Sequence, residues 1–296
     1  MDRKKIASLL LTAALLAGTA GTAVGASLPA KTAAQYGVAV SSSTKAVVDY
    51  SNLAEGYLMV RYTGGKNVRI KVQITKAGST LNYNYDLNNT GANETFPLTE
   101  GDGQYTVKVL ENTTEDRYAA AHTCTLDLKL RDSMAPYLYA NQFVNFNDQS
   151  QVVAKAAELM AGKTALEKVT AAFNYVVDNF TDDYDRAASV QSGYLPNVDS
   201  VLAAKKGICF DYAAVMTAML RSQGVPCKLV VGYAGTTYHA WINVYTPETG
   251  WIEGAIYFDG KTWTLMDPTF TSTGKRSDSI MKYVTNSANY QQKYAY

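Results

Sequence analysis

Three residues in the second half of the sequence are of the types that perform acyl transfer through a thiol. They are Cys209 in "KKGICFDYAAVMTAMLRSQG", His239 in "YHAWINVY" and Asp267 in "WTLMDPTF", at successive separations of 30 and 28 residues. A cysteine attacks a carbonyl as its thiolate, which forms more readily at a helix N-terminus or beside an imidazolium. The residues after Cys209 are apolar nearly all round, at 210, 213–216 and 218–220, so the spacing predicts a buried helix with the thiol at its head. Gly224 and Pro226 end that helix. Gly207, just ahead of the cysteine, permits a tight turn and the close approach of a substrate backbone. His239 would take up and return the proton. Asp267, a carboxylate closing a strand before a proline, would hold the imidazole in its tautomer and stabilise it when charged. Taken singly, each residue has an ordinary reading: a packing thiol, a strand histidine, an Asp-Pro turn. The ordered set of three is what points to chemistry.

The rest of the titratable inventory narrows the choice. The chain has two histidines, and the other, His122, falls in a strand-like region and reads as a surface or strand-edge residue. There are three cysteines, Cys124, Cys209 and Cys227. Disulfide scaffolds use an even and larger number, so at least one thiol is left over. A bridge between Cys124 and Cys227 would leave Cys209 as the odd one.

The elements that must position these residues can be read from periodicity. Residues 45–132 carry alternating runs such as "YLMVRY", "NVRIKVQITK" and "QYTVKVLE", separated by Gly and Asn clusters, the pattern of an all-β immunoglobulin-like sandwich domain. Nothing in it looks catalytic. Residues 133–150 read as a linker that bridges the two domains, with Pro136 and several aromatics suited to dock on either neighbour. Residues 151–296 read as an α+β catalytic domain. Its helices fit "QVVAKAAELMAG", stopped at Gly162; "TALEKVTAAFNYVVDNF", with Thr164 and Glu167 in capping-box spacing; "VDSVLAAKKG"; and the helix after Cys209. Antiparallel strands follow. Strand alternation puts His239, Trp241, Asn243 and Tyr245 on one face, and Tyr238, Ala240, Ile242 and Val244 on the other.

The three ordered blocks around Cys209, His239 and Asp267 resemble the core of the transglutaminase-like superfamily. The shared features are a cysteine after glycine at the head of a central helix, a glycine-proline exit into a strand, a histidine followed two residues later by tryptophan, and an aspartate followed by proline. The resemblance covers about 65 residues. It implies a papain-like α+β core in which Cys209 is the nucleophile, His239 the general base and acid, and Asp267 the orienting residue. Acyl chemistry also needs hydrogen-bond donors for the developing oxyanion. The N–H of Cys209 supplies one, and Tyr194 in "SGYLPNVDSVL" stands where animal transglutaminases carry a tryptophan, so its hydroxyl is a candidate for the second. Trp241 is expected to wall the site, and Asp211 to stabilise the first turn of the helix. A papain-type protease fits less well, because such enzymes separate cysteine and histidine by a much longer segment.

The first 26 residues, "MDRKKIASLLLTAALLAGTAGTAVGA", have a basic start, an apolar run of about 13 residues and small residues before a plausible cleavage point. This reads as a secretory signal peptide, its apolar run being too short for a membrane span. Residues 27–44 read as a flexible leader. Net charge is +1, with lysine and arginine scattered, which excludes an evident nucleic-acid surface or polybasic membrane patch. Tyrosine is abundant, 22 residues against 8 phenylalanines, in keeping with an extracellular protein. No cofactor or metal is expected. The expected function is a secreted thiol enzyme acting on protein or peptide amides through a thioester, resolved by an amine or by water, with cell-wall components as a further candidate partner. The alternative is a non-catalytic surface scaffold on the same fold.

Overall fold

A computed structural model of the chain describes residues 32–253, 256–258, 263–265 and 290–296. The signal-peptide reading and Asp267 fall outside the described residues.

The N-terminal strands are β1 (Val40–Ser42), β2 (Ala46–Asp49), β3 (Tyr57–Tyr62), β4 (Ile70–Lys76), β5 (Tyr83–Leu87), β6 (Glu94–Pro97), β7 (Gly103–Thr114) and β8 (Arg117–Leu128). They pair antiparallel in two sheets, ordered β1-β2-β3-β6 and β5-β4-β7-β8. Every second side chain faces inward: Ile70, Val72 and Ile74 on β4, and Tyr105, Val107 and Val109 on β7, are all buried. Period-two alternation therefore builds a sandwich core between the sheets. The leader reading needs correction at one point, because residues 40–42 form β1, paired with Asp49, Val48 and Val47 of β2. That pairing is set by the neighbouring strand and not by apolar periodicity of the segment itself.

The rest of the chain runs α1 (Gln151–Met160), α2 (Ala165–Asn179), β9 (Thr181–Asp182), α3 (Tyr184–Ser189), α4 (Val198–Ala204), β10 (Lys206–Gly207), α5 (Cys209–Ser222), β11 (Cys227–Ala234), β12 (Thr237–Thr246), β13 (Gly250–Ile252), β14 (Ile256–Phe258), β15 (Trp263–Leu265) and β16 (Tyr290–Ala295). The sheet order β13-β12-β11-β16 is antiparallel throughout. Helix α2 begins with the expected capping box. The Thr164 hydroxyl accepts from the Glu167 N–H at 3.3 Å, and the Glu167 carboxylate accepts from the Thr164 N–H at 2.8 Å. Helix α5 is buried from Asp211 through Ser222 and packs on β11 and β12. Its Val215, Met216, Met219 and Leu220 are wholly inside, each worth about 1.5–3 kcal/mol of transfer free energy. The architecture is α+β, preceded by an all-β sandwich.

The aromatics of the bridging residues 133–150 dock on both neighbours. Ala135, Tyr137, Leu138, Ala140, Val144 and Phe146 are buried, and the Tyr137 hydroxyl donates to the Thr99 carbonyl at 2.8 Å. Phe143 stacks at 4.5 Å from Tyr296 and 5.8 Å from Tyr85 of the sandwich. A segment so rich in aromatics lowers its free energy by burial, and here it joins the sandwich and the helical layer into one continuous apolar core. Arg221 fastens the same junction from within. Its guanidinium, fully buried, donates to the backbone oxygens of Cys227, Tyr139 and Tyr296 at 2.6–2.9 Å.

Candidate active site

Cys209 is the first residue of α5, after Ile208 as N-cap in extended conformation. The helix starts there because the Asp211 carboxylate folds back and accepts the Ile208 N–H at 3.0 Å, satisfying one of the donors that a helix N-terminus leaves free. Gly207 makes room for that fold. A Cβ at 207 would stand 2.7 Å from Asp211 Cβ and 2.9 Å from Oδ2. The space read from sequence as room for a substrate backbone is thus filled by the capping carboxylate.

Asp211 has no solvent exposure, and a buried carboxylate must be compensated. Two side chains do this. Arg186 Nη1 of α3 lies 3.2 Å from Asp211 Oδ2, and the Tyr194 hydroxyl donates to Oδ1 at 2.6 Å. Arg186 also donates to the Tyr194 oxygen at 2.9 Å. The Asp183 carboxylate, which caps α3 by accepting the Arg186 N–H, pairs with Lys206 at 3.2 Å. The short parallel pair β9–β10 holds the two ends of this segment together. Residues 181–195 are thereby clamped against the start of α5.

The clamp bears on Tyr194. Its phenol is held well above its ordinary pKa, by burial first and then by the hydrogen bond to Asp211. A phenol has one hydrogen to donate, and here it is donated to Asp211 Oδ1. The oxyanion-donor role expected from the sequence is not available to Tyr194 in this arrangement.

His239 sits in β12 opposite Gly232 of β11, and it is buried, 5% exposed. Glycine at 232 is what lets β16 close on this sheet, because a Cβ there would meet the Gln291 carbonyl at 2.0 Å. Cys209, His239 and Tyr194 line one cavity of about 880 Å³. Trp241, expected to wall the site, is placed elsewhere. It packs with Val230, Ala295 and Tyr290, its ring 5.4 Å from that of Tyr290. Val230 of β11 and Ala295 and Tyr290 of the edge strand β16 surround it, and none of these three lines the cavity. Asp267 lies outside the described residues. His122 is in the sandwich, with Nε2 2.8 Å from the Ser41 hydroxyl.

All three thiols are free, so no Cys124–Cys227 bridge exists. Burial pushes the Cys227 thiol up to about 11, which marks it as a packing residue, and Cys124 is also raised by burial. Among the described residues there is no cluster of His, Cys, Asp or Glu that could hold a metal ion, and no helix is long and apolar enough to cross a membrane.

Two features of the cavity escaped sequence reasoning. One is Arg186, on a helix of six residues, too short to show a period. Its one local signal is Asp183 three residues earlier, an N-cap in the right place. The other is the far wall, which the sandwich supplies through Lys71, Asn84, Tyr85 and Asp86.

A cysteine at the head of a buried central helix, facing a histidine on the adjacent antiparallel sheet, defines a papain-like thiol fold. Residues 153–268, which contain Cys209, His239 and Asp267, match the transglutaminase-like superfamily. Over 147 residues the chain is 24% identical to the uncharacterized protein YebA of Bacillus subtilis, covering 42% of this chain and 20% of that one. Over 68 residues it is 31% identical to a protein-glutamine gamma-glutamyltransferase of Pseudomonas aeruginosa, covering 18% and 10%. The chain thus spans a fifth or less of the length of these curated relatives. Among solved structures, red sea bream transglutaminase aligns over 77% of this chain and 53% of its own, with 12% identity and a TM-score of 0.31.

Proposed function

We propose that the protein is a secreted thiol acyl-transfer enzyme acting on protein or peptide amides, with Cys209 as nucleophile, His239 as general base and acid, and Asp267 as the residue that orients the imidazole. In this reading the Cys209 sulfur forms a bond to the carboxamide carbon, the C–N bond breaks, and His239 gives its proton to the departing ammonia or amine. The resulting thioester is attacked by a primary amine or by water, which loses its proton to His239 as the thiolate leaves. The backbone N–H of Cys209 would serve as one donor to the oxyanion. The observation that carries the reading is that Cys209, at a helix head, and His239, on the facing strand, open onto the same cavity.

The test incubates the chain without its first 26 residues with a glutamine-containing protein and a labelled primary amine. Amine incorporation by the wild type, lost in Cys209→Ala and in His239→Ala, establishes transamidation. Ammonia or peptide fragments released with the same dependence establish hydrolysis. Indistinguishable behaviour of wild type and Cys209→Ala in every assay, with no preferential alkylation of Cys209 by iodoacetamide, removes the enzyme reading.

A further inference from the structure

Eight large apolar side chains are exposed among the described residues, and their distribution is uneven. Three of them lie at the start of the described chain, Tyr36 and Val38 ahead of β1 and Val40 at its first position. Four of the remaining five line the cavity of Cys209: Tyr184 at 70% exposure, Tyr238 at 56%, Leu195 at 40% and Val190 at 38%. The fifth, Tyr233, packs its ring 5.5 Å from that of Tyr238. Single exposed apolar residues need no explanation, but a cluster around one cleft marks a recognition surface.

The charged groups of the same cavity point away from charge-based selection, because they are paired within the protein. Lys71 Nζ lies 2.6 Å from Asp86, and Asp183 pairs with Lys206 and Arg186. A charged substrate side chain would compete with these pairs for the same groups. An apolar one would cover surface that is otherwise in water. Two aliphatic side chains beside two tyrosines suit the irregular, fully apolar shape of Leu, Met or Phe. A sugar ring would use the tyrosine faces and leave Val190 and Leu195 unsatisfied.

We propose that this rim is the specificity-determining subsite, and that the protein selects peptide segments carrying a large apolar side chain adjacent to the reactive carboxamide. The proposal names the substrate class for the acyl-transfer reading and rests on it for the position of the carboxamide. The α3 segment supplies Tyr184, Val190 and Leu195, and β12 supplies Tyr238 on the other side of Cys209. Filling one apolar subsite discriminates by about 10- to 200-fold.

The experiment measures equilibrium binding of fluorescein-labelled hexapeptides to the full chain bearing Cys209→Ala, by fluorescence anisotropy. Each peptide carries one glutamine flanked on both sides by Leu, Phe, Gly, Asp or Lys. The Leu and Phe peptides are expected to bind about tenfold or more tightly than the other three. Tyr184→Ser with Leu195→Ser should bring all five within about threefold, and Tyr238→Ser, on a different element, should narrow the spread independently. Equal binding of all five peptides overturns the proposal. So does displacement of the Leu peptide by a cell-wall oligosaccharide but not by unlabelled Leu peptide. Turnover by the wild type separates the two readings. Acyl transfer at equal kcat/KM on all five peptides sinks the subsite and keeps the enzyme. Selective binding without turnover of any peptide does the reverse.

Discussion

Replacing Tyr194 by Phe separates two roles that one hydroxyl could play at this site. The hydroxyl donates at 2.6 Å to the buried Asp211 carboxylate and accepts from Arg186 at 2.9 Å. A hydrogen bond to a charged group is worth about 1.5–3 kcal/mol net. Asp211 keeps Arg186 and the Ile208 N–H as partners, and the half-exposed position of Tyr194 lets water replace part of the loss. The expected destabilisation is therefore about 1–2 kcal/mol. A chain of this size loses about 2–4 °C in Tm per kcal/mol, so a melting curve should shift downward by several degrees. The kinetic consequence follows from where the hydrogen is. An oxyanion-hole donor removed by mutation costs about 10²–10³ in kcat. A residue that only seats the 181–195 segment against α5 should cost less than about tenfold, mainly through looser placement of Cys209. Melting followed by circular dichroism and steady-state amine incorporation measure the two effects on the same preparation. A loss of a hundredfold or more in kcat with an unchanged Tm would refute the positioning role and restore Tyr194 as an oxyanion donor.

The buried Arg221 should be required for the joint between the sandwich and the helical layer. Arg221→Met keeps the volume but leaves the backbone oxygens of Tyr139, Cys227 and Tyr296 short of donors. With the regained desolvation of the guanidinium set against this, the expected loss is about 2–4 kcal/mol, read as a fall in Tm, and a Tm within 2 °C of wild type would contradict it. Glu111 of β7 gives a pH signature. Hydrogen bonds from Lys66 and then Tyr62, with Lys45 alongside, hold its carboxyl down to about 2. A carboxylate whose folded pKa is depressed stabilises above its unfolded pKa and loses that contribution as pH falls through the folded value, here between about pH 4.5 and 2. The whole depression corresponds to about 3 kcal/mol, and screening of the two half-exposed lysines reduces it to about 1–2 kcal/mol. The stability difference between wild type and Glu111→Gln should be constant above about pH 5 and shrink below it. A difference independent of pH down to 2.5 would show that Glu111 acts by shape alone.

What the sequence made legible is what local physics determines. The sandwich strands appear as period-two apolar runs, α2 announces itself by Thr164 and Glu167, and α5 by a helix-length run apolar on every side. The illegible parts are held by partners distant in the chain. Strand β16, "YQQKYA", has no apolar alternation and is a strand because β11 pairs with it. Its Tyr290 and Ala295 pack on Trp241. Helix α3 and the β9–β10 pair are too short to be stable alone and are held by two carboxylates, Asp183, which caps α3 and pairs with Lys206, and the buried Asp211, which holds Arg186. The glycine before Cys209 was correctly read as a place where something comes close, but what comes close is the helix's own cap.

The same distinction bears on what the sandwich is for. From sequence it could be a spacer, since no residue in it has catalytic chemistry. In the fold, Phe210, the neighbour of Cys209, packs at 5.6 Å on Phe143, which packs in turn on Tyr85 of β5. Tyr85 lies beside Asn84 and Asp86 on the wall facing the thiol. A spacer would meet the helical layer through solvated, replaceable contacts. This contact is a continuous apolar core that also shapes the cavity. Substitutions in β4 and β5 that leave the sandwich folded should therefore register at Cys209, in substrate selection before stability.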